Sequence, residues 1–153
     1  MRVLYTDVVE NEVLNENCNA SRVGFDTLLA ESDFISIHVP LMDSTRHLFN
    51  ADTFKKMKSS AYLINTSRGP VINEAELVQA LKAGDIAGAG LDVYEAEPKM
   101  ADGLAELENT VLTPHTASAT EEARTNMALK AARNLSAMIA GETPPDCVNP
   151  EIL

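Results

Sequence analysis

Short apolar or β-branched runs alternate along the chain with segments whose apolar residues recur at helical spacing. That is the pattern of βαβ units, which build a parallel sheet with helices on both faces. The runs predict strands at Arg2–Thr6, Phe34–Val39, Ala61–Asn65, Ile86–Val93 and Thr110–Thr113, near-continuously apolar as covered strands are. Asn50 is placed to cap a helix carrying Phe54 and Met57. Asn73 followed by Glu76 resembles a capping box ahead of Leu77, Ala80 and Leu81, and Gly84 sits where that helix should stop. A last helix is expected from a second box-like pair, Ser118 and Glu121, to about Gly141. Its stripe of Met127, Ala128, Ala131, Leu135, Met138 and Ile139 is read as facing the core. The prolines of the tail, Pro144, Pro145 and Pro150, predict an extended end.

Composition narrows the class. The chain has 153 residues, 45% hydrophobic and 23% charged, which disfavours disorder and fibrous repeats. A net charge of −11 would repel nucleic acid and anionic membranes, so no nucleic-acid or membrane partner is expected. Cys18 and Cys147 stand far apart and read as reduced thiols. With no signal-like or membrane-length apolar stretch, the reading is a cytoplasmic protein.

Three places could carry chemistry. His115 follows the Thr110–Thr113 run, Arg68 follows the Ala61–Asn65 run, and Asp92, Glu95 and Glu97 follow Gly88-Ala89-Gly90-Leu91. Taken singly, each has an ordinary alternative: a loop histidine, a surface salt bridge, a solvated acidic loop. His38, His47 and His115 show no metal-ligand spacing, so no metal is expected. Yet all three places fall at carboxyl ends of consecutive strands, where open α/β sheets bind ligands. A carboxylate beside a histidine equips it to give up a proton near neutral pH, and an arginine fork suits a substrate carboxylate. Such a set could reduce a 2-keto acid.

The segments Asn65-Thr66-Ser67-Arg68-Gly69-Pro70-Val71, Gly88-Ala89-Gly90-Leu91-Asp92-Val93-Tyr94-Glu95-Ala96-Glu97-Pro98 and Thr113-Pro114-His115-Thr116-Ala117-Ser118-Ala119-Thr120 closely resemble the signatures of the D-isomer-specific 2-hydroxyacid dehydrogenases. Within them the chain is most similar to the glyoxylate and hydroxypyruvate reductases, or glycerate dehydrogenases. The resemblance implies a Rossmann-like α/β fold and NAD-dependent hydride transfer between NADH and a small 2-keto acid. It implies that Arg68 binds the substrate, that His115 is the general acid and base, and that Glu97 is its pairing carboxylate. Asp92 and Thr66 would lie at the nicotinamide, and Asp7 would accept the adenosine ribose hydroxyls and favour NAD over NADP. His38, Val39 and Pro40 would line the adenine side and Thr45 would approach the cofactor. His47 is read as structural. Glu97 argues against the related formate dehydrogenases, which use glutamine there.

The seven glycines fall at 24, 69, 84, 88, 90, 103 and 141, so no GxGxxG phosphate-binding turn is present. The chain therefore resembles the distal part of such an enzyme, without the first strand and its glycine-rich turn. Residues 1–117 would be a partial dinucleotide-binding domain and 118–153 a long crossover helix and tail returning to a substrate domain. Weak NAD binding, little turnover, and association or partial unfolding through uncovered apolar surface are expected, with a homodimer open. The alternatives are a catalytically weak interaction module, as in corepressors resembling this family, and a shortened gene model.

Overall fold

The structure, a computed structural model, describes residues 1–152 and divides into two compact units, Met1–Pro114 and His115–Leu153. In the first, β1 (Leu4–Tyr5) leads through α1 (Glu12–Cys18) to β2 (Ser21–Arg22) and α2 (Phe25–Glu31). Then follow β3 (Phe34–Ile37), α3 (Ala51–Phe54), β4 (Tyr62–Asn65), α4 (Glu74–Ala83), β5 (Gly88–Leu91) and β6 (Thr110–Leu112). β1 and β2 pair with each other, while the other four form a sheet ordered β3-β4-β5-β6, and every pairing is parallel. The expected parallel α/β architecture is therefore present, and all four carboxyl ends of the larger sheet point to one edge.

Burial along the strands alternates. Ile35, Ile37, Leu63, Asn65, Ala89 and Leu91 face a core completed by Phe54, Val71, Leu77, Val78, Leu81, Ile86 and Leu104. From the opposite face, Phe34, Tyr62 and Val111 are exposed, the first two as a stacked pair with ring centres 5.5 Å apart. The expectation of strands covered on both faces therefore fails at Phe34, Tyr62 and Val111. Gly88 is required by close packing: a Cβ there would lie 2.7 Å from the Asn109 carbonyl oxygen and 2.9 Å from the Tyr62 ring.

Local signals were partly realised. Asn50 and Thr53 form a reciprocal capping box on α3. At α4 only half of the expected box exists. Asn73 accepts from the Glu76 amide, but the Glu76 carboxylate instead accepts from the Ala51 amide at 2.6 Å, which ties the starts of two helices together. Gly84 ends α4 in the left-handed conformation, φ +75°. The pattern did not predict α1, β2 or α2. α1 buries no residue and so carries no apolar stripe to read, while α2 buries only Leu28 and Leu29.

In the second unit, α5 (Glu121–Ile139) is capped by Thr120, whose hydroxyl accepts from the Ala123 amide, rather than by Ser118. The expected core-facing stripe is overturned. α5 buries no residue, and Met127, Leu135, Met138 and Ile139 are 58–79% exposed. Helical spacing reports a face that could be buried, and nothing in the described residues buries this one. The tail is anchored by Asp146, whose amide donates to Asn134 and whose carboxylate accepts from Asn134, each at 2.9 Å. The bond from Asn134, then the charge of Lys130, holds the Asp146 carboxyl below its ordinary range. No helix among the described residues is long and apolar enough to cross a membrane.

Candidate cofactor and substrate site

The four parallel strands each release a loop at the same edge. After β3 comes His38-Val39-Pro40, with the His38 imidazole Nε2 2.8 Å from the Ser36 hydroxyl. After β4, the buried Asn65 organises the turn that presents Arg68. Its side-chain oxygen accepts from the Ser67 amide and hydroxyl, both at 3.0 Å, and its amide nitrogen donates to the Arg68 carbonyl at 3.0 Å. A hollow of about 430 Å³ opens here, lined by His38, Val39, Pro40, Leu41, Ser67 and Arg68. The Arg68 guanidinium donates to the neighbouring Ser67 carbonyl at 2.7 Å.

After β5, the Asp92 amide donates back to Asn65, and the buried Asp92 carboxylate accepts from the Thr113 hydroxyl at 2.5 Å. A smaller hollow of about 180 Å³ is lined by Ile64, Thr66, Gly90, Leu91, Asp92, Val111 and Thr113. Below it, the Tyr94 hydroxyl donates to the Thr113 carbonyl at 2.8 Å. Burial first, then the Asp92 and Glu74 charges, push the Tyr94 pKa up, so the hydroxyl stays a proton donor holding the ends of β5 and β6.

Glu97 is exposed and its carboxylate accepts from the Tyr94 amide at 3.1 Å, immediately before a cis bond to Pro98. Asp7 lies two residues beyond β1, on the other sheet. Its carboxylate accepts from the Val8 amide at 2.6 Å, and Arg22 donates to the Asp7 and Val8 carbonyls. Thr45 closes its own loop by donating to the Pro40 carbonyl at 2.6 Å and accepting from the Met42 amide. His115 opens the second unit, exposed, at a left-handed φ of +53°. The first unit thus gathers His38, Val39, Pro40 and Arg68 about one hollow and Thr66 and Asp92 about the other, with Asp7, Thr45 and Glu97 lining neither.

Residues that sequence reasoning passed over hold this edge in shape. Glu74 is buried, yet its carboxylate accepts from the Glu95 amide at 2.7 Å and the Ala101 amide at 2.6 Å. Asn65 and Ser67 belong with it, and Leu41 lines the larger hollow. Only Asn65 left a signal, an Asn at a strand's end followed by Thr-Ser, the composition of an Asx turn.

Residues 1–117 match the family described as D-isomer specific 2-hydroxyacid dehydrogenase, NAD binding domain. The chain belongs to this family. Its sequence is 49% identical over 153 residues to a glyoxylate reductase from Thermococcus litoralis, covering 100% of this chain and 46% of the relative. It is 48% identical over 154 residues to glyoxylate/hydroxypyruvate reductase B of Serratia proteamaculans, covering 100% and 47%. Among solved structures it resembles the NAD-complexed D-isomer specific 2-hydroxyacid dehydrogenase from Lactobacillus delbrueckii ssp. bulgaricus, with a TM-score of 0.86, 34% identity, and coverage of 97% and 49%. The chain thus spans about half the length of the relatives it matches. Family, fold class and the NAD cofactor of the family agree with what the three signature segments implied.

The residues present fit part of a dinucleotide. A hollow at the strand ends, a carboxylate just beyond β1 and a second hollow beside Asp92 suit the nucleoside portions, whereas the described residues hold no glycine-rich turn for the phosphates.

Proposed function

We propose that the chain is the cofactor-binding part of an NAD-dependent reductase that converts glyoxylate or hydroxypyruvate to glycolate or D-glycerate. The observation carrying this reading is that Arg68 and the His38–Pro40 loop line one hollow at the carboxyl edge of a parallel sheet. In this reading Asp7 accepts the ribose hydroxyls, His38, Val39 and Pro40 line the adenine side with Thr45 nearby, and Thr66 and Asp92 meet the nicotinamide. The dinucleotide, when bound, supplies the hydride. Arg68 holds the substrate's carboxylate and carbonyl through its fork, His115 gives a proton to the carbonyl oxygen, and Glu97 is its pairing carboxylate. In the reverse direction His115 takes the hydroxyl proton. Residues 1–117 form the dinucleotide part and 118–153 the crossover helix and tail, in a cytoplasmic protein.

Without a phosphate-binding turn, this chain alone is expected to bind NAD more weakly than low-micromolar in calorimetric titration. It is also expected to show slow hydroxypyruvate-dependent NADH oxidation that His115→Ala removes. Tight binding would overturn the first expectation, and turnover surviving His115→Ala would overturn the assignment of the acid. The exposed Phe34, Tyr62 and Val111 face and the α5 stripe favour a second reading, an interaction module of the same fold. Under that reading NAD binds with no turnover at all. Both readings expect self-association, and light scattering from a stable compact monomer would count against it.

A further inference from the structure

His47 takes a left-handed φ of +51°, a conformation with a cost for a residue bearing a Cβ, and it is held there from two sides. Its amide donates to the Pro70 carbonyl at 2.8 Å, and its carbonyl accepts from the Asn50 side chain at 2.9 Å. Pro70 lies two residues beyond Arg68. The same backbone geometry aims the imidazole at a different loop, where Nε2 donates to a Glu95 carboxylate oxygen at 2.6 Å. The other Glu95 oxygen accepts from the Glu74 amide at 3.2 Å, while Glu74 returns the contact by accepting from the Glu95 amide and, with its second oxygen, from the Ala101 amide. The loop is therefore gripped at Glu95 and at Ala101, with Glu97 between the two grips.

We infer that His47 is a positioning residue for the proposed reaction, tying the Arg68 turn to the Glu97 loop through its amide on one side and its imidazole on the other. The inference rests on the reading that Arg68 and Glu97 serve substrate and acid. A charge-assisted bond between half-buried partners, with the carboxylate's second oxygen also occupied, fixes Glu95 in direction as well as distance. Two loops that carry different parts of a substrate site gain from such a tie, because small misplacements of reacting groups reduce rates steeply. A histidine chosen only for packing would not need both its strained backbone and its imidazole engaged on separate loops.

The test is NMR on the whole chain, with hydrogen exchange. In His47→Asn, which tolerates the left-handed backbone but cannot reach Glu95, the Ala101 amide should exchange about tenfold faster, the size expected for losing roughly one hydrogen bond's worth of local protection. The Arg68 Nε–H signal should shift, and amides in β3 and β4 should keep their protection. His47→Gln, which keeps a donor on a longer arm, should restore both signals. If His47→Asn does not fold, Glu95→Asp, one methylene too short for the bond, carries the same expectation. Unchanged Ala101 exchange and an unmoved Arg68 signal in a folded variant overturn the inference, as does a loss of protection spread evenly over the first unit. A separate arm probes the parent reading: Glu97→Gln should move the ring-proton resonances of His115 and leave those of His38 in place. If it does not, the pairing of Glu97 with His115 fails, while the exchange and Arg68 signals still decide whether His47 ties the loops.

Discussion

Phe54→Ala should cost the first unit about 3–5 kcal/mol of stability, read as a lower urea midpoint at constant slope. Phe54 ends α3 and is fully buried. It sits in a core with Phe49, Met57, Leu77 and Val71, so truncation removes apolar burial and leaves a cavity that fixed strands and helices cannot close. Phe34→Ala is the matched control. Phe34 is 68% exposed and stacks on the Tyr62 ring, so at protein concentrations low enough to prevent self-association its loss should cost under about 1 kcal/mol. The expectation fails if the two substitutions cost the same. Equal costs would mean that the face bearing Phe34 and Tyr62 is covered in solution, by association or by a rearranged chain. The pair of variants therefore measures core packing and the openness of the sheet in one experiment.

How much of this was legible depends on what each residue has to do. The strands of the larger sheet are legible because buried Ile35, Ile37, Leu63, Ala89 and Leu91 are interleaved with further apolar residues such as Phe34, Tyr62 and Ile64. The edge residues Arg68 and Asp92 were visible because they follow such runs directly. The stripe on α5 was misread for the complementary reason. Periodicity records which side chains share a face, and it is silent on whether a partner for that face lies in the same chain. α1 escaped because a helix that buries nothing has no period to detect. Glu74 escapes because its work is to accept the backbone amides of Glu95 and Ala101, far along the chain, and no local spacing encodes that. Position at the strand ends marks Glu97 and His115 as candidates, and only the family resemblance assigns them separate roles. Sequence marks His47 only as structural, because its two contacts on separate loops exist only in three dimensions.

Gly69→Ala should destabilise the first unit by about 3 kcal/mol, at the upper end of what overpacking costs, and should do so by pushing apart two loops of the candidate site. Gly69 is buried and begins the short 3₁₀ turn Gly69–Val71 that follows Arg68. A Cβ there would lie 1.9 Å from the Tyr94 carbonyl oxygen, 2.0 Å from its carbon and 2.6 Å from the Glu95 nitrogen. All three are backbone atoms, so no side-chain rotation relieves the clash. Either the Arg68 turn must retreat, straining the Asn65 bonds that shape it, or the Tyr94–Glu95 peptide must yield, loosening the Glu74 and His47 contacts behind it. Gly24→Ala is the control, since nothing lies within 4 Å of a Cβ at Gly24, and it should change stability by less than about 0.5 kcal/mol. Denaturant midpoints for the two variants check the magnitude. Hydrogen exchange checks the location: faster exchange confined to Ser67, Glu95 and Ala101 fits a wedge between the two loops, whereas a wild-type midpoint for Gly69→Ala would refute the close approach itself. The residue after Arg68 is glycine, on this account, because the loop bearing Arg68 and the loop bearing Glu97 meet backbone to backbone with no room for a side chain between them.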